Sequence, residues 1–249
     1  GYFGTGMRSE SKGRNNPVTV ADQESEAAIL EMLRRERPDD TLFAEETGVS
    51  AGTGGRRWIV DPLDGTVNFV HGIPEVSVSV ALYDGNTPIV GVVMDVLRGE
   101  LFSAVTGGGA QLNGSPIQVS DLDDPAQSVV STGFPYDHHD HPAAYTATIA
   151  GMLAQVNGIR RCGSAALDLA WVAAGRYEAH WEYFLAPWDV AAGTLLVREA
   201  GGRVTDSLGR TLVPEDPVIV ATNGALHDTY LGIIGATLPS HVAAAERPT

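Results

Sequence analysis

Between Val76 and Leu82 the chain alternates strictly, with Val76, Val78, Val80 and Leu82 separated by Ser77, Ser79 and Ala81. A period of two predicts a strand that buries one face more than the other. Further strands are predicted at Trp58–Asp61, Ile89–Val96 and Glu100–Val105. Asn113-Gly114 is a hairpin turn signal between Ala110–Leu112 and Pro116–Val119. Upstream, Thr19-Val20-Ala21-Asp22 opens a helix that runs to Arg37 and is stopped by Pro38, with Ile29, Leu30 and Leu33 as its apolar face. Asp121–Pro125 is polar and turn-rich, and marks the expected boundary between an N-terminal unit, 1–122, and a C-terminal unit, 123–249. The second unit reads as strand Ser128–Thr132, helix Pro142–Gln155, a helix capped by Ser164 and ending at Gly175, and strand Tyr177–Tyr183. A helix from Pro187 to a Gly201-Gly202 stop follows, then strands near Arg203–Asp206 and Val218–Ala221. Strands first, then alternating helices and strands, predict an α+β unit followed by an α/β unit.

Candidate chemistry concentrates in Trp58-Ile59-Val60-Asp61-Pro62-Leu63-Asp64-Gly65-Thr66. A buried strand runs there into two carboxylates three residues apart. An unpaired buried carboxylate is costly, so the pair calls for a cation, and hard cations take oxygen ligands. Pro62 biases Asp61 towards an extended backbone, and Gly65 permits close approach to a ligand. Thr66 adds a hydroxyl beside this pocket. Asp189 sits at the start of the Pro187 helix, where the dipole favours an anion. Phe43-Ala44-Glu45-Glu46 places two more acids after a short apolar stretch. Read singly, three of these acids are bland: Asp22 as a capping-box acid, Glu45 as a solvated loop acid, Asp189 as a helix-start carboxylate.

Taken together, the Asp-Pro-Leu-Asp-Gly-Thr run, the Trp188-Asp189-Val190-Ala191-Ala192-Gly193 run and the Glu45-Glu46 pair resemble the inositol monophosphatase family of magnesium-dependent, lithium-sensitive phosphomonoesterases. The resemblance implies a layered α/β/α/β/α sandwich with the site between two subdomains, assembled as a homodimer. It implies two or three Mg²⁺ held by Glu45, Asp61, the Leu63 carbonyl, Asp64 and Asp189. Glu45 would stand with Thr66 and Asp22 in the catalytic set. Thr66 and Asp22 would be the water-activating pair, and the N–H groups of Gly65 and Thr66 would face the phosphate, with Asp64 and Asp189 close to the bound substrate. Gly163, Ser164, Ala165 and Glu182 would read substrate hydroxyls. Tyr177, Trp181 and Tyr183 are expected on the strand face opposite Glu182. The segment Arg160–Ala170 looks closest to the bacterial branch, which makes a small phosphorylated polyol the expected substrate, most simply myo-inositol monophosphate. Histidinol phosphate, fructose 1,6-bisphosphate and 3′-phosphoadenosine 5′-phosphate are the rival substrates, and a non-catalytic interaction protein on the same fold is the rival from another class. Asn16 stands where the family often has an acid, and Lys12 lies near the place where the family often has a lysine in this loop. A neutral amide is a poor ligand for a hard cation, so a weaker third metal position is expected.

Composition narrows the field further. The chain has 249 residues, 43% hydrophobic and 19% charged, which suits a globular core of substantial size. A net charge of −15 argues against non-specific nucleic-acid binding. No apolar run nears the roughly 20 residues of a membrane helix. The single Cys162 excludes an intrachain disulfide and agrees with a cytoplasmic setting; packing is its expected role. Asp137-His138-His139-Asp140-His141 lacks zinc-ligand spacing and is expected to be a solvated loop, and Gly107-Gly108-Gly109 to be a tight turn. The start Gly1-Tyr2-Phe3-Gly4 has no Met and looks like the tail of a helix, so preceding residues are expected, with a removed targeting segment not excluded.

Overall fold

The computed structural model describes residues 2–4, 10–13, 16–136 and 138–245. Arg14, Asn15 and Asp137, together with the side chains of Lys12 and Asn16, lie outside the described residues. The chain opens with a hairpin of β1 (Glu10–Gly13) and β2 (Asn16–Val18), then α1 (Val20–Glu36). Next come β3 (Thr41–Ala44), β4 (Gly48–Ser50), β5 (Arg56–Asp64), the short α2 (Thr66–His71), β6 (Ser77–Asp84), β7 (Thr87–Asp95), β8 (Glu100–Val105), β9 (Gly109–Leu112) and β10 (Ser115–Ile117). Strands β3 to β10 form one eight-stranded sheet in the order β10-β9-β8-β7-β6-β5-β3-β4. The turn between β9 and β10 is Asn113-Gly114, both residues with positive φ (50° and 80°), as the hairpin signal requires.

The rest of the chain contributes β11 (Val129–Thr132), α3 (Pro142–Leu153), β12 (Gly158–Arg160), α4 (Ala165–Ala173), β13 (Ala179–Tyr183), α5 (Pro187–Glu199), β14 (Arg203–Thr205), β15 (Val218–Thr222), α6 (His227–Thr237) and α7 (Ser240–Ala245). Its sheet runs β12-β11-β13-β15-β14. Helices α4 and α5 lie between the two sheets in the largest apolar cluster, which joins Ile59, Val93 and Phe102 to Leu169, Leu195 and Ile219. Helix α1 packs Leu30 on the outer face of the large sheet against Leu42 and Val60. A third cluster joins Trp181 and Val220 to Tyr145 of α3 and to Tyr230 and Ile234 of α6. The layers are therefore α/β/α/β/α.

One local reading is sharpened and two change. In β6 the deeply buried face is the small one, Ser77, Ser79 and Ala81, whereas Val78 and Val80 are half-buried. Small residues win because α5 lies very close: a Cβ on Gly91 of the neighbouring β7 would stand 2.7 Å from the Ala192 carbonyl oxygen. Tyr177 is not part of β13. It packs with Trp171 in the central cluster, while Trp181 and Tyr183 face α3 and α6. Ser164 stands at the N-cap of α4, but its hydroxyl makes no capping bond. Gly107 and Gly109 take positive φ in a tight turn, and their N–H groups donate to Glu199.

Candidate metal centre

Asp61 and Asp64 are three residues apart, so a regular strand would point them to opposite faces. The β5–β6 pairing is irregular between them: Asp61 lies opposite Ser79 and Asp64 opposite Ser77. Three residues of one strand thus span two of its partner. This bulge at Pro62 restores the parity and puts both carboxylates on the buried face. The chain then turns at Gly65 (φ 89°), where a Cβ would lie 2.6 Å from the Glu75 carbonyl oxygen, so only glycine fits.

Helix α1 clamps this segment from outside. Asp22, Ser25 and Glu26 share one helix face at i, i+3 and i+4. The Ser25 hydroxyl donates to the Pro62 carbonyl (2.8 Å), and Glu26 accepts the N–H groups of Glu46 and Thr47 (2.8 and 2.9 Å), fixing the turn that carries Glu45. Asp22 bonds both its capping partner and Thr66 at once. One carboxylate oxygen accepts the Thr19 N–H and hydroxyl (2.8 and 2.6 Å) in the capping box, and the other accepts the Thr66 hydroxyl (3.0 Å). Thr66 Oγ1 also lies 3.1 Å from the Leu63 carbonyl oxygen.

Asp189 arrives on the first turn of α5, which begins at Pro187. Ser79, the residue opposite Asp61, donates to the Trp188 carbonyl (3.2 Å), and the Trp188 ring meets Phe43 edge-on. These contacts set the helix start directly over the bulge. One ligand oxygen each from Asp61, Asp64 and Asp189 then lies within 4.8 Å of the other two. Glu45 lines the same cavity, outside that tight group.

Each of the three acids has an oxygen tied to neutral donors. Asp61 Oδ1 accepts the Leu63 N–H (3.0 Å) and Asp189 Oδ2 the Ala186 N–H (2.7 Å). Asp64 Oδ2 accepts the Ser164 hydroxyl (2.5 Å), the Ala166 N–H (2.9 Å) and the Ser77 hydroxyl (3.2 Å). Among the described residues no lysine or arginine forms an ion pair with any of the three. Burial, and then the neighbouring carboxylates Asp64, Glu45 and Asp189, push Asp61 well above the usual carboxylate range. Burial, and then Asp64, do the same to Asp189. Burial also raises Asp64, against the pull of its three donors. Carboxylates that cannot all ionise unaided, each with an oxygen close to those of the other two, form a donor set suited to a hard divalent cation.

The cavity, about 780 Å³, extends from these acids past Gly65, Thr66, Gly163 and Ala165 to Glu182, Arg161, Tyr136 and Phe184. Ser164 is buried beneath it, bonded to Asp64. Cys162 is half-buried against the central core. His138 lines the outer wall, and His141 stacks on His241 with ring centroids 4.2 Å apart. Sequence reasoning missed Ser25, Glu26 and Ser79. A signal was present for Glu26: with Asp22 it continues the apolar stripe of Ile29, Leu30 and Leu33, so both acids face inward.

A sequence profile of the inositol monophosphatase family matches residues 1–237. Nus factor SuhB of Escherichia coli K12 is 43% identical over 204 residues, 82% of this chain and 76% of that protein. The inositol monophosphatase of Anabaena superposes with a TM-score of 0.85 at 41% identity, covering 90% of this chain and 89% of the other. An IMPase/NADP phosphatase solved with Mg²⁺ and phosphate superposes at 0.80 with 27% identity, covering 92% and 87%. With its layered fold and its cluster of acids for a divalent metal, the chain belongs to the inositol monophosphatase family.

Proposed function

We propose that this protein is a Mg²⁺-dependent phosphomonoesterase acting on a small polyol phosphate, most simply myo-inositol monophosphate. The observation that carries this reading is the convergence of Asp61, Asp64 and Asp189 from two separate regions of the chain on one point of a cavity. Glu45, Asp61, Asp64, Asp189 and the Leu63 carbonyl would hold two or three cations. Bound there, Mg²⁺ supplies charge neutralisation at the phosphoryl oxygens and makes a water more acidic. Thr66 would orient a water: with its single hydroxyl proton given to Asp22 (3.0 Å) rather than to the Leu63 carbonyl (3.1 Å), its oxygen is left to accept from that water. The amides of Gly65 and Thr66 receive the phosphate. Glu182 accepts hydrogen bonds from substrate hydroxyls on the opposite wall, and Gly163 and Ala165 shape the floor between.

A second reading, an interaction protein on this fold, draws on the Nus factor name of the relatives. A scaffold gains nothing from three mutually repelling buried acids, which favours catalysis. Phosphate release from inositol 1-phosphate, histidinol phosphate, fructose 1,6-bisphosphate and 3′-phosphoadenosine 5′-phosphate, with Mg²⁺ and with EDTA, tests the proposal. Metal-dependent release, greatest with the inositol ester, is expected. No release from any ester under any divalent metal would overturn it in favour of the second reading.

A further inference from the structure

A string of buried polar groups lies behind Glu182 that the chemistry above leaves unused. Strands β11 and β13 run parallel with Ser131 opposite His180, and His180 shares its strand face with Glu182 two residues on. The Ser131 hydroxyl stands 3.0 Å from His180 Nδ1, and Asp168 Oδ2 of α4 is 3.7 Å from the same nitrogen. The other ring nitrogen, Nε2, is buried without a hydrogen-bond partner among the described residues and lies 3.7 Å from Glu182 Oε2. Asp168 Oδ1 is likewise buried and unpartnered. His180 is fully buried, and Ser131, Asp168 and Glu182 are each less than one-tenth exposed.

The Glu182 carboxylate occupies a slot left by a missing side chain. A Cβ on Gly133 would fall 2.1–2.2 Å from Cδ and both carboxylate oxygens of Glu182. The groups that bear on the carboxylate are His180 from its own strand, Arg161 from the loop before α4, Asp168 of α4, Asp189 of α5 and Asp64 from the large sheet. Burial raises Glu182 to about 8 and lowers His180 to about 3, so the ring is neutral and Nε2 has a single hydrogen-bond role to fill.

We propose that His180 is a positioning residue for Glu182, anchored by Ser131 and backed by Asp168, and that its Nε2 keeps the carboxylate in the Gly133 slot, aimed at substrate hydroxyls. An unpartnered buried nitrogen gains from a polar partner, and the Glu182 carboxylate lies 3.7 Å from it. The proposal rests on the phosphatase reading for its effect on selectivity, though not for the contact itself. A polyol ester, which uses Glu182, depends on this arrangement more than a minimal ester does.

Two variants test it. His180→Phe fills the ring volume without nitrogens, and His180→Gln restores a polar end. The readout is kcat/KM for inositol 1-phosphate divided by that for glycerol 2-phosphate, with Mg²⁺, and the crystal structure of each variant. His180→Phe should lower this ratio about 10-fold, mainly through KM, with partial recovery in His180→Gln. Its carboxylate should leave the slot. Equal losses on both esters, or a carboxylate that stays in place, would overturn the proposal. Should His180→Phe not fold, Ser131→Ala carries the same test with a smaller shift of the ratio. If the wild type hydrolyses neither ester, the phosphatase reading fails, and the position of the Glu182 carboxylate alone decides the role of His180.

Discussion

Asp64 and Glu182 are both buried carboxylates in one cavity, yet their supports differ in kind. Asp64 rests one oxygen on three neutral donors, and its neighbours Asp61 and Asp189 repeat the arrangement with one donor each. One oxygen of each of the three lies within 4.8 Å of the other two, so this wall suits a cation from outside the chain. Among the described residues no such donor holds Glu182; it has a glycine slot, a histidine behind it and Arg161 nearby. Burial raises the carboxyls on both walls, Glu182 to about 8. One wall gathers acids whose charge a metal would draw out. The other keeps a carboxyl whose ionisation and direction answer to its neighbours.

Breaking the metal wall should have the largest effect. Asp61→Asn removes a charge from the convergent set while keeping the bond from Leu63, and kcat/KM should fall on the order of 10³-fold on every ester. Thr66→Ala should fall on the order of 10²-fold, in kcat with KM nearly constant, because its hydroxyl acts on water more than on bound ester. If Thr66→Ala raised KM and spared kcat, the proposed water-orienting role would be wrong.

The same contrast sets a pH dependence of stability. Asp61, Asp64, Asp189 and Glu182 are all raised in the metal-free fold. Above the ordinary carboxylate pKa of about 4 the unfolded chain has lost these protons while the fold still holds them, so stability falls as pH rises. For Glu182 the window closes at about 8. Metal binds the deprotonated acids, so added Mg²⁺ should offset the loss, and its effect should grow with pH. At 100 times its dissociation constant Mg²⁺ contributes about 2.7 kcal/mol, or roughly 5–10 °C in Tm for a chain of this length. Calorimetry at pH 6 and pH 8 with EDTA or Mg²⁺ checks this. A Mg²⁺-induced rise in Tm that shrinks with pH would contradict the assignment of the cluster.

The sequence revealed what is written locally and hid what depends on pairing. The acids at 61, 64 and 189 stood out because a strand end and a helix start leave short, recognisable runs. That Asp61 and Asp64 share a face did not, because the bulge exists only against Ser77 and Ser79 of β6. The buried face of β6 was hidden for a similar reason: the close approach of α5 makes serine and alanine the core side. Tyr177 followed the alternation of the strand and yet lay beyond its start. Ser164 was readable as an N-cap by position, but its hydroxyl is drawn to Asp64 beneath the cavity. The layered architecture was legible through the family resemblance; helix–strand order alone yielded only an α+β unit followed by an α/β unit.

Gly133 carried no signal in the sequence, and substituting it sharpens the comparison most finely. Its backbone does not require positive φ, so alanine is conformationally allowed. The added Cβ would meet Oε1, Cδ and Oε2 of Glu182 at 2.1–2.2 Å, and these are the far end of a flexible side chain. The carboxylate should therefore swing aside while the backbone stays, with little change in Tm. None of the contacts that hold Asp61, Asp64 and Asp189 involves residue 133. Gly133→Ala should thus lower kcat/KM for inositol 1-phosphate by about 10-fold and that for glycerol 2-phosphate by much less. Steady-state kinetics on the two esters, with a Mg²⁺ titration on each variant, distinguish the outcomes. An equal loss on both esters with weaker Mg²⁺ dependence would mean that Glu182 serves the metal wall after all. No loss on either would remove Glu182 from substrate recognition and leave the convergent acids as the whole of the site.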